Sequence, residues 1–169
     1  PSLTNNTLTV KNHKRKIIMT DPSENYTMKT AIVTGAARGI GLATAQLFAE
    51  QGLKVVMVDR DADILHEAQR QVRNSLALVC DISSPSAVNQ MIHNALKEAG
   101  SIDVLVNNAG MHYGTGMTPS PFVDPSIKTV SKEGYDLAFA TNYLGHFLLT
   151  RLLLEMLVQT EKEVGKPGR

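Results

Sequence analysis

From residue 29 onward, short apolar runs alternate with stretches whose apolar residues recur at helical spacing. "KTAIVTG", "LKVVMVD", "LALVCD" and "IDVLVNNAG" are compact, rich in β-branched residues and bounded by turn formers, which predicts four buried strands. After the first, "GLATAQLFAEQG" predicts a helix carrying Leu42, Ala45, Gln46, Leu47 and Ala49, stopped by Gly52. After the second, "RDADILHEAQRQVRN" predicts an exposed helix, with Asp61 or Asp63 near its start suiting the positive end of the helix dipole. After the third, "SSPSAVNQMIHNALKEAG" opens with Ser84 as cap and Pro85 in the first turn, then places Val88, Ile92 (or Met91) and Ala95 on one face. The fourth strand runs into "MHYGTGMTPSPFVDPSIKTV", so rich in Gly and Pro that it predicts a long loop, a class that is usually functional or mobile. Last comes a long helical segment, "SKEGYDLAFATNYLGHFLLTRLLLEMLVQTEKEVG", expected to break or kink around Gly145. Its middle is apolar on nearly every side, which marks burial by more than one neighbour. Strand and helix alternating in this way predict an α/β fold, a doubly wound parallel sheet with right-handed crossovers and helices on both faces.

Composition narrows the picture. A chain of 169 residues suits one domain, and a formal charge of +1 gives no electrostatic case for nucleic acid or an anionic membrane. The lone cysteine, Cys80, cannot form an internal disulfide and fits a reducing, cytoplasmic setting; its strand-like flank makes it a core thiol. No run of about 18 apolar residues predicts a membrane span. The basic cluster Lys11, Lys14, Arg15 and Lys16 is followed by only three apolar residues, unlike a secretory signal, and has no aromatic platform for nucleic acid. Residues 1–28 are therefore expected to be a disordered extension, and a version beginning at Met19 to fold and bind ligand as the longer one does.

The candidate chemistry starts at "AIVTGAARGIGLA". A strand, a glycine-rich turn and a helix in that order make a phosphate site, because the helix N-terminus offers unpaired N–H groups and a positive dipole end. Gly35 permits the tight turn, Gly39 the approach of a pyrophosphate, and Gly41 the packing of helix on strand. A Walker loop does not fit, since Gly39 is followed by Ile40 and Gly41 and not by Lys and Ser or Thr. Asp59 closes the second strand about 20 residues on, where a carboxylate can accept from the adenosine ribose hydroxyls and repel a 2′-phosphate. That argues for NAD. Arg38 and Arg60 pull towards NADP, since either guanidinium can reach such a phosphate, unless both are simply solvated. The balance favours NAD, with NADP as the alternative.

Thr34-Gly35-Ala36-Ala37-Arg38-Gly39-Ile40-Gly41, Asp59, Asp81-Ile82, Asn107-Asn108-Ala109-Gly110, and Asn142 within "TNYLGHFLL" together resemble the classical branch of the short-chain dehydrogenase/reductase family. The likeness covers roughly residues 29–160, and "TNYLGHFLLT" is similar to retinol-dehydrogenase-like members. It implies a Rossmann-like cofactor domain and oxidation or reduction of an alcohol or carbonyl substrate. By position, Asp81 would accept from the adenine amino group with Ile82 packing beside the ring. Asn108, Ala109 and Gly110 would line the adenosine ribose side and steady the central strand. Asn142 matches the helix asparagine that holds a water in the family's proton relay; otherwise it is a helix-interior residue satisfying backbone groups. A full-length protein of this kind is expected to be a homo-oligomer.

The resemblance also implies a catalytic Ser and a Tyr-x-x-x-Lys pair, the lysine making a phenol of unperturbed pKa near ~10 usable at neutrality. Four residues beyond Tyr26, Tyr113, Tyr135 and Tyr143 stand Thr30, Met117, Phe139 and Phe147, and none is lysine. The expectation is a cofactor-binding part, residues 29–169, cut after the fourth strand and the long helix, with the catalytic residues beyond Arg169. Alternatively the chain is a non-catalytic module that binds a dinucleotide or a partner. Metal chemistry has no support, because His13, His66, His93, His112 and His146 are scattered away from Cys and acids. His66 and His93 read as surface residues, His146 as a packed one, and His112 and Tyr113 as loop residues that could face a substrate.

Overall fold

The computed structural model describes residues 30–111 and 130–164, with side chains described as far as residue 159. The segment 1–28, the loop bearing His112 and Tyr113, and the terminal "GKPGR" lie outside the described residues. Four strands form one parallel sheet in the order β3-β2-β1-β4: β1 (Thr30–Thr34), β2 (Lys54–Asp59), β3 (Ser75–Val79) and β4 (Val104–Val106). β1 lies between β2 and β4, with Ile32 opposite Val56 on one side and Leu105 on the other. The predicted doubly wound sheet is present, and its strand order reverses at β1. In open α/β sheets that reversal leaves a crevice outside the carboxyl ends of the strands.

The helices cover both faces, each for a local reason. α1 (Gly39–Glu50) and α2 (Ala62–Gln69) lie on the side of Val33, Val55 and Met57, where Ala45, Leu65 and Ala68 close one core. α3 (Pro85–Ala99) and the long C-terminal helix lie on the side of Ile32, Val56 and Val58, and Val88, Met91, Ile92, Ala95, Leu149 and Leu153 fill the second core. Strands buried on both faces read as continuous apolar runs, which is why their pattern is not alternating. Cys80 sits in the second core, and burial together with the Asp81 charge pushes its thiol up to about 11. It is a packed, unreactive thiol.

Two boundaries differ from expectation. α2 ends at Gln69, short of the predicted stretch, and the turn after it passes through Asn74 at φ +52°. Ser84 occupies the cap position of α3, but its hydroxyl faces Ser86 Oγ at 3.2 Å and does not cap the helix.

The expected break near Gly145 is a change of helix type. α4 (Leu137–Phe139) passes into a π-helical stretch, Ala140–Gly145, which passes into α5 (His146–Val164). The buried positions run Leu137, Ala140, Gly145, Leu149 and Leu153, and the step from 140 to 145 is one residue longer than an α-helix takes. Burial of α5 is one-sided, contrary to its all-round apolar pattern: Leu149 and Leu153 are fully buried, whereas Phe147, Leu152, Leu154 and Val158 are exposed. Among the described residues β4 has one neighbour, so it forms a sheet edge.

Leu149→Ala should lower stability to urea by about 2–5 kcal/mol through the cavity it opens, whereas Leu154→Ala on the open face should change it by less than about 0.5 kcal/mol.

Candidate cofactor site

At the carboxyl ends of β1 and β4 the two chains are stitched by side chains. The Thr34 hydroxyl, fully buried, donates to the Val106 carbonyl at 3.2 Å and accepts from Asn108 N and Ala109 N, both at 3.0 Å. Asn108 answers with its amide, donating to the carbonyls of Thr34 (2.9 Å) and Gly35 (3.3 Å). Asn108 thus ties the end of β4 to the end of β1 and fixes the first glycine of the turn. Asn107 turns the other way, its Nδ2 donating to Thr150 Oγ1 on α5 at 3.0 Å.

The glycines of the turn do different work. A methyl on Gly41 would overlap the Gly35 carbonyl, so this residue lets α1 press on the turn. Gly39, at φ +57°, faces open space, with nothing within 4 Å of where a Cβ would stand. Arg38 is the N-cap of α1 yet makes no side-chain cap bond, and the first turn of the helix holds no acidic residue. Ile40, just inside the helix, is 79% exposed. An uncapped helix start beside a glycine that opens onto solvent fits the pyrophosphate of a dinucleotide, whose oxygens would take the unpaired N–H groups.

Asp59, half-buried at the end of β2, holds the turn from beneath. Its Oδ2 accepts from Ala37 N at 3.2 Å and its Oδ1 from Asp61 N at 3.1 Å. A carboxylate has about four acceptor positions, so the ribose role read from sequence is compatible with these two bonds. Arg38 reaches across to Asp61, its Nη2 lying 3.3 Å from Oδ2. Asp61 also caps α2, accepting from Ile64 N at 3.4 Å. Arg60 is exposed and lines a groove of about 550 Å³ that runs past Asp81, Ser83, Met111, Ser131 and Leu137.

Asp81 is exposed at this groove, and its Oδ1 accepts from Ser83 N (3.0 Å) and Ser83 Oγ (2.7 Å), leaving its second oxygen open to an exocyclic amine. Ile82, expected beside an adenine ring, is 5% exposed and its side chain belongs to the second core. A Cβ at Gly145 would overlap the Ile82 carbonyl, so the π-helical stretch packs directly on this turn.

Asn142 lies in the middle of that stretch. Met111 N donates to its Oδ1 at 2.8 Å, and its Nδ2 donates back to the Met111 carbonyl at 2.9 Å. Both ends of the carboxamide are engaged, so the side chain clamps the chain leaving β4. Gly110, beside it, would bring a Cβ to an ordinary 3.6 Å from Asn142 Oδ1. Asn142 is thereby brought together with Asn108, Ala109 and Gly110, on the opposite side of the crevice from Asp59 and Arg38. The sequence reading missed Thr34's hydroxyl and Asp61's pairing with Arg38. A threonine ending a fully buried strand was a usable signal for the first; a pair 23 residues apart offered none for the second.

Of the five histidines, His66 and His93 are exposed, as expected. His146 is partly buried and its Nε2 is a buried atom without a hydrogen-bond partner among the described residues. Desolvation lowers its pKa from the ordinary 6.5, against the smaller opposing effect of its bond to the Asn142 backbone. No group of three or more His, Cys, Asp or Glu residues capable of holding a metal occurs among the described residues. None of their helices is long and apolar enough to cross a membrane.

Two tests follow from this geometry. Gly41→Ala should cost about 3 kcal/mol or more in urea unfolding, because backbone must move, whereas Gly39→Ala should cost about 1–2 kcal/mol of left-handed strain and leave the fold intact. For His146 the unfolded state binds the proton more readily, so stability should fall as pH drops below 6.5 and level off under the depressed folded value. His146→Gln should flatten that slope in melts run from pH 8 to pH 5 (a range of about three units around the imidazole).

The short chain dehydrogenase family profile matches residues 29–166. The chain is 37% identical over 144 residues to the chloroplastic protochlorophyllide reductase of Marchantia paleacea, covering 81% of this chain and 30% of that protein. It is 34% identical over 135 residues to retinol dehydrogenase 13 of Mus musculus, covering 76% of this chain and 37% of that one. Among solved structures, it is similar to the 3-ketoacyl-(acyl-carrier-protein) reductase from Brucella melitensis complexed with NADH. The TM-score there is 0.68 at 32% identity, covering 83% of this chain and 55% of that one. A metagenomic short-chain oxidoreductase in complex with NADP gives 0.65 at 30% identity, covering 79% of this chain and 58% of that one. The chain thus spans about a third of the length of the curated relatives it matches first. With that profile matching residues 29–166, which hold the whole parallel sheet and the glycine turn, the chain belongs to the short chain dehydrogenase family.

Proposed function

We propose that this chain is the cofactor-binding part of an NAD(P)-dependent oxidoreductase acting on an alcohol or carbonyl substrate. The observation that carries the reading is the open, uncapped start of α1, framed by Gly39 and by Asp59 within one carboxylate's reach of the turn. When bound, the nicotinamide cofactor supplies a hydride donor or acceptor. The residues present here bind and orient it. The N–H groups at the start of α1 and Arg38's backbone take the pyrophosphate; Asp59 takes ribose hydroxyls; Asp81 takes the adenine amine; Asn108 to Gly110 wall the central strand. Asn142 keeps the segment after β4 in place through Met111, and a place in a proton relay is proposed for it by position. That two similar solved structures hold NADH and NADP supports a nicotinamide dinucleotide as the ligand.

No tyrosine in the 169 residues is followed by lysine four positions later, so these residues do not supply the family's proton donor. Binding without turnover is therefore the expected behaviour of this chain. In calorimetry NAD+ should bind more tightly than NADP+, and Asp59→Ala should narrow that preference by about tenfold. The purified chain should give no NADH-linked turnover of alcohols or ketones at 340 nm (roughly the nicotinamide absorbance used for such assays). A chain that binds neither dinucleotide overturns the reading; turnover overturns the statement that these residues lack the proton donor.

A further inference from the structure

Arg38 is the cation on the glycine turn, and sequence alone leaves it as an argument for a 2′-phosphorylated cofactor. The structure gives it a partner. Arg38 Nη2 lies 3.3 Å from Asp61 Oδ2, with side-chain exposures of 68% and 38%. Asp61 is held for this contact from two sides. Its backbone N–H donates to Asp59 Oδ1 at 3.1 Å, and its own Oδ1 caps α2 by accepting from Ile64 N at 3.4 Å. That division of labour leaves Oδ2 turned to the guanidinium. The Asp59 carboxylate and the Asp61 backbone are thus tied together at the mouth of the turn, and Arg38 is paired there.

We propose that Asp61 is a second cofactor-discriminating residue, acting beside Asp59 by holding Arg38 in an ion pair. This rests on the dinucleotide reading above and deepens it. A 2′-phosphate dianion approaching Asp59 meets that carboxylate and a guanidinium that must first leave Asp61 before it can serve as ligand. A 2′-hydroxyl needs neither change. The pair is exposed and held by one nitrogen, so its contribution is modest and sensitive to ionic strength. Arg60 stands apart: it lines the groove with Asp81 and Ser83, and among the described residues no carboxylate lies within salt-bridge distance of it. Discrimination exerted through Arg38 is therefore separable from anything Arg60 does.

The test is a calorimetric titration of the full 169-residue chain with NAD+ and with NADP+. Asp61→Asn keeps an oxygen to cap α2 and removes the charge. It should tighten NADP+ by about fivefold and leave NAD+ within about twofold, with the gain shrinking as salt is raised. Asp61→Ser, a second uncharged cap, should do the same and guards against a folding defect in the first. In an Arg38→Gln background the gain should vanish, since the released guanidinium is its source. An unchanged NADP+ to NAD+ ratio in both Asp61 variants of a chain that binds NAD+ overturns the role of Asp61 alone, as does a gain that persists without Arg38. A wild-type chain that binds neither dinucleotide overturns the cofactor reading and this one with it.

Discussion

The site depends on one buried hydroxyl. Thr34 Oγ1 bonds to the carbonyl of Val106 and to the N–H groups of Asn108 and Ala109, just where parallel strands β1 and β4 part and their ladder ends. Asn108 N also reaches the Val106 carbonyl at 3.1 Å, so the group that depends on the hydroxyl is Ala109 N, and a buried unsatisfied N–H costs about 1–3 kcal/mol. Asn108 returns the constraint by donating to Thr34 and Gly35. The turn that would carry a pyrophosphate is therefore fixed to the neighbouring strand before any ligand arrives.

From that junction the constraint passes outward on both sides. On one, Asp59 ties the turn to the start of α2 through Ala37 N and Asp61 N, and Arg38 closes the loop back to Asp61. On the other, Asn107 bonds to Thr150 and Asn142 clamps Met111, so the C-terminal helix is registered against the end of β4. The π-helical step makes this possible. It shifts the buried stripe by one residue, so Gly145 can press on the Ile82 carbonyl while Leu149 and Leu153 enter the core. Helix interruptions of this type recur at functional sites because they re-aim side chains without ending the helix.

Several residues named from the motif pattern hold the strand ends and the turn together. Asp59, a candidate ribose acceptor by its spacing, is bonded beneath the glycine turn, which spacing cannot reveal. Asn142 was legible as a special asparagine, yet its carboxamide is engaged with Met111, 31 residues away. Ile82 packs in the second core, which its place after a buried strand does not reveal, since an apolar side chain there carries no mark of the direction it takes. Ser84 held the right position for a cap and the wrong hydroxyl orientation.

The sequence by itself determined the strand and helix order, the parallel sheet, the glycine turn and the acid at the end of β2, because each is written in local periodicity or in residues a few positions apart. It also located the kink near Gly145, since a glycine inside an apolar helix is a local signal. Tertiary structure alone decided what joins those pieces: the Thr34–Asn108 bonds, the Arg38–Asp61 pair, the Asn142 clamp and the contact of Gly145 with Ile82. These depend on strand order β3-β2-β1-β4, which brings residues more than 20 positions apart within hydrogen-bond reach. It likewise decided that α5 buries one face only, because burial depends on which neighbours pack against a helix and not on how apolar the helix is.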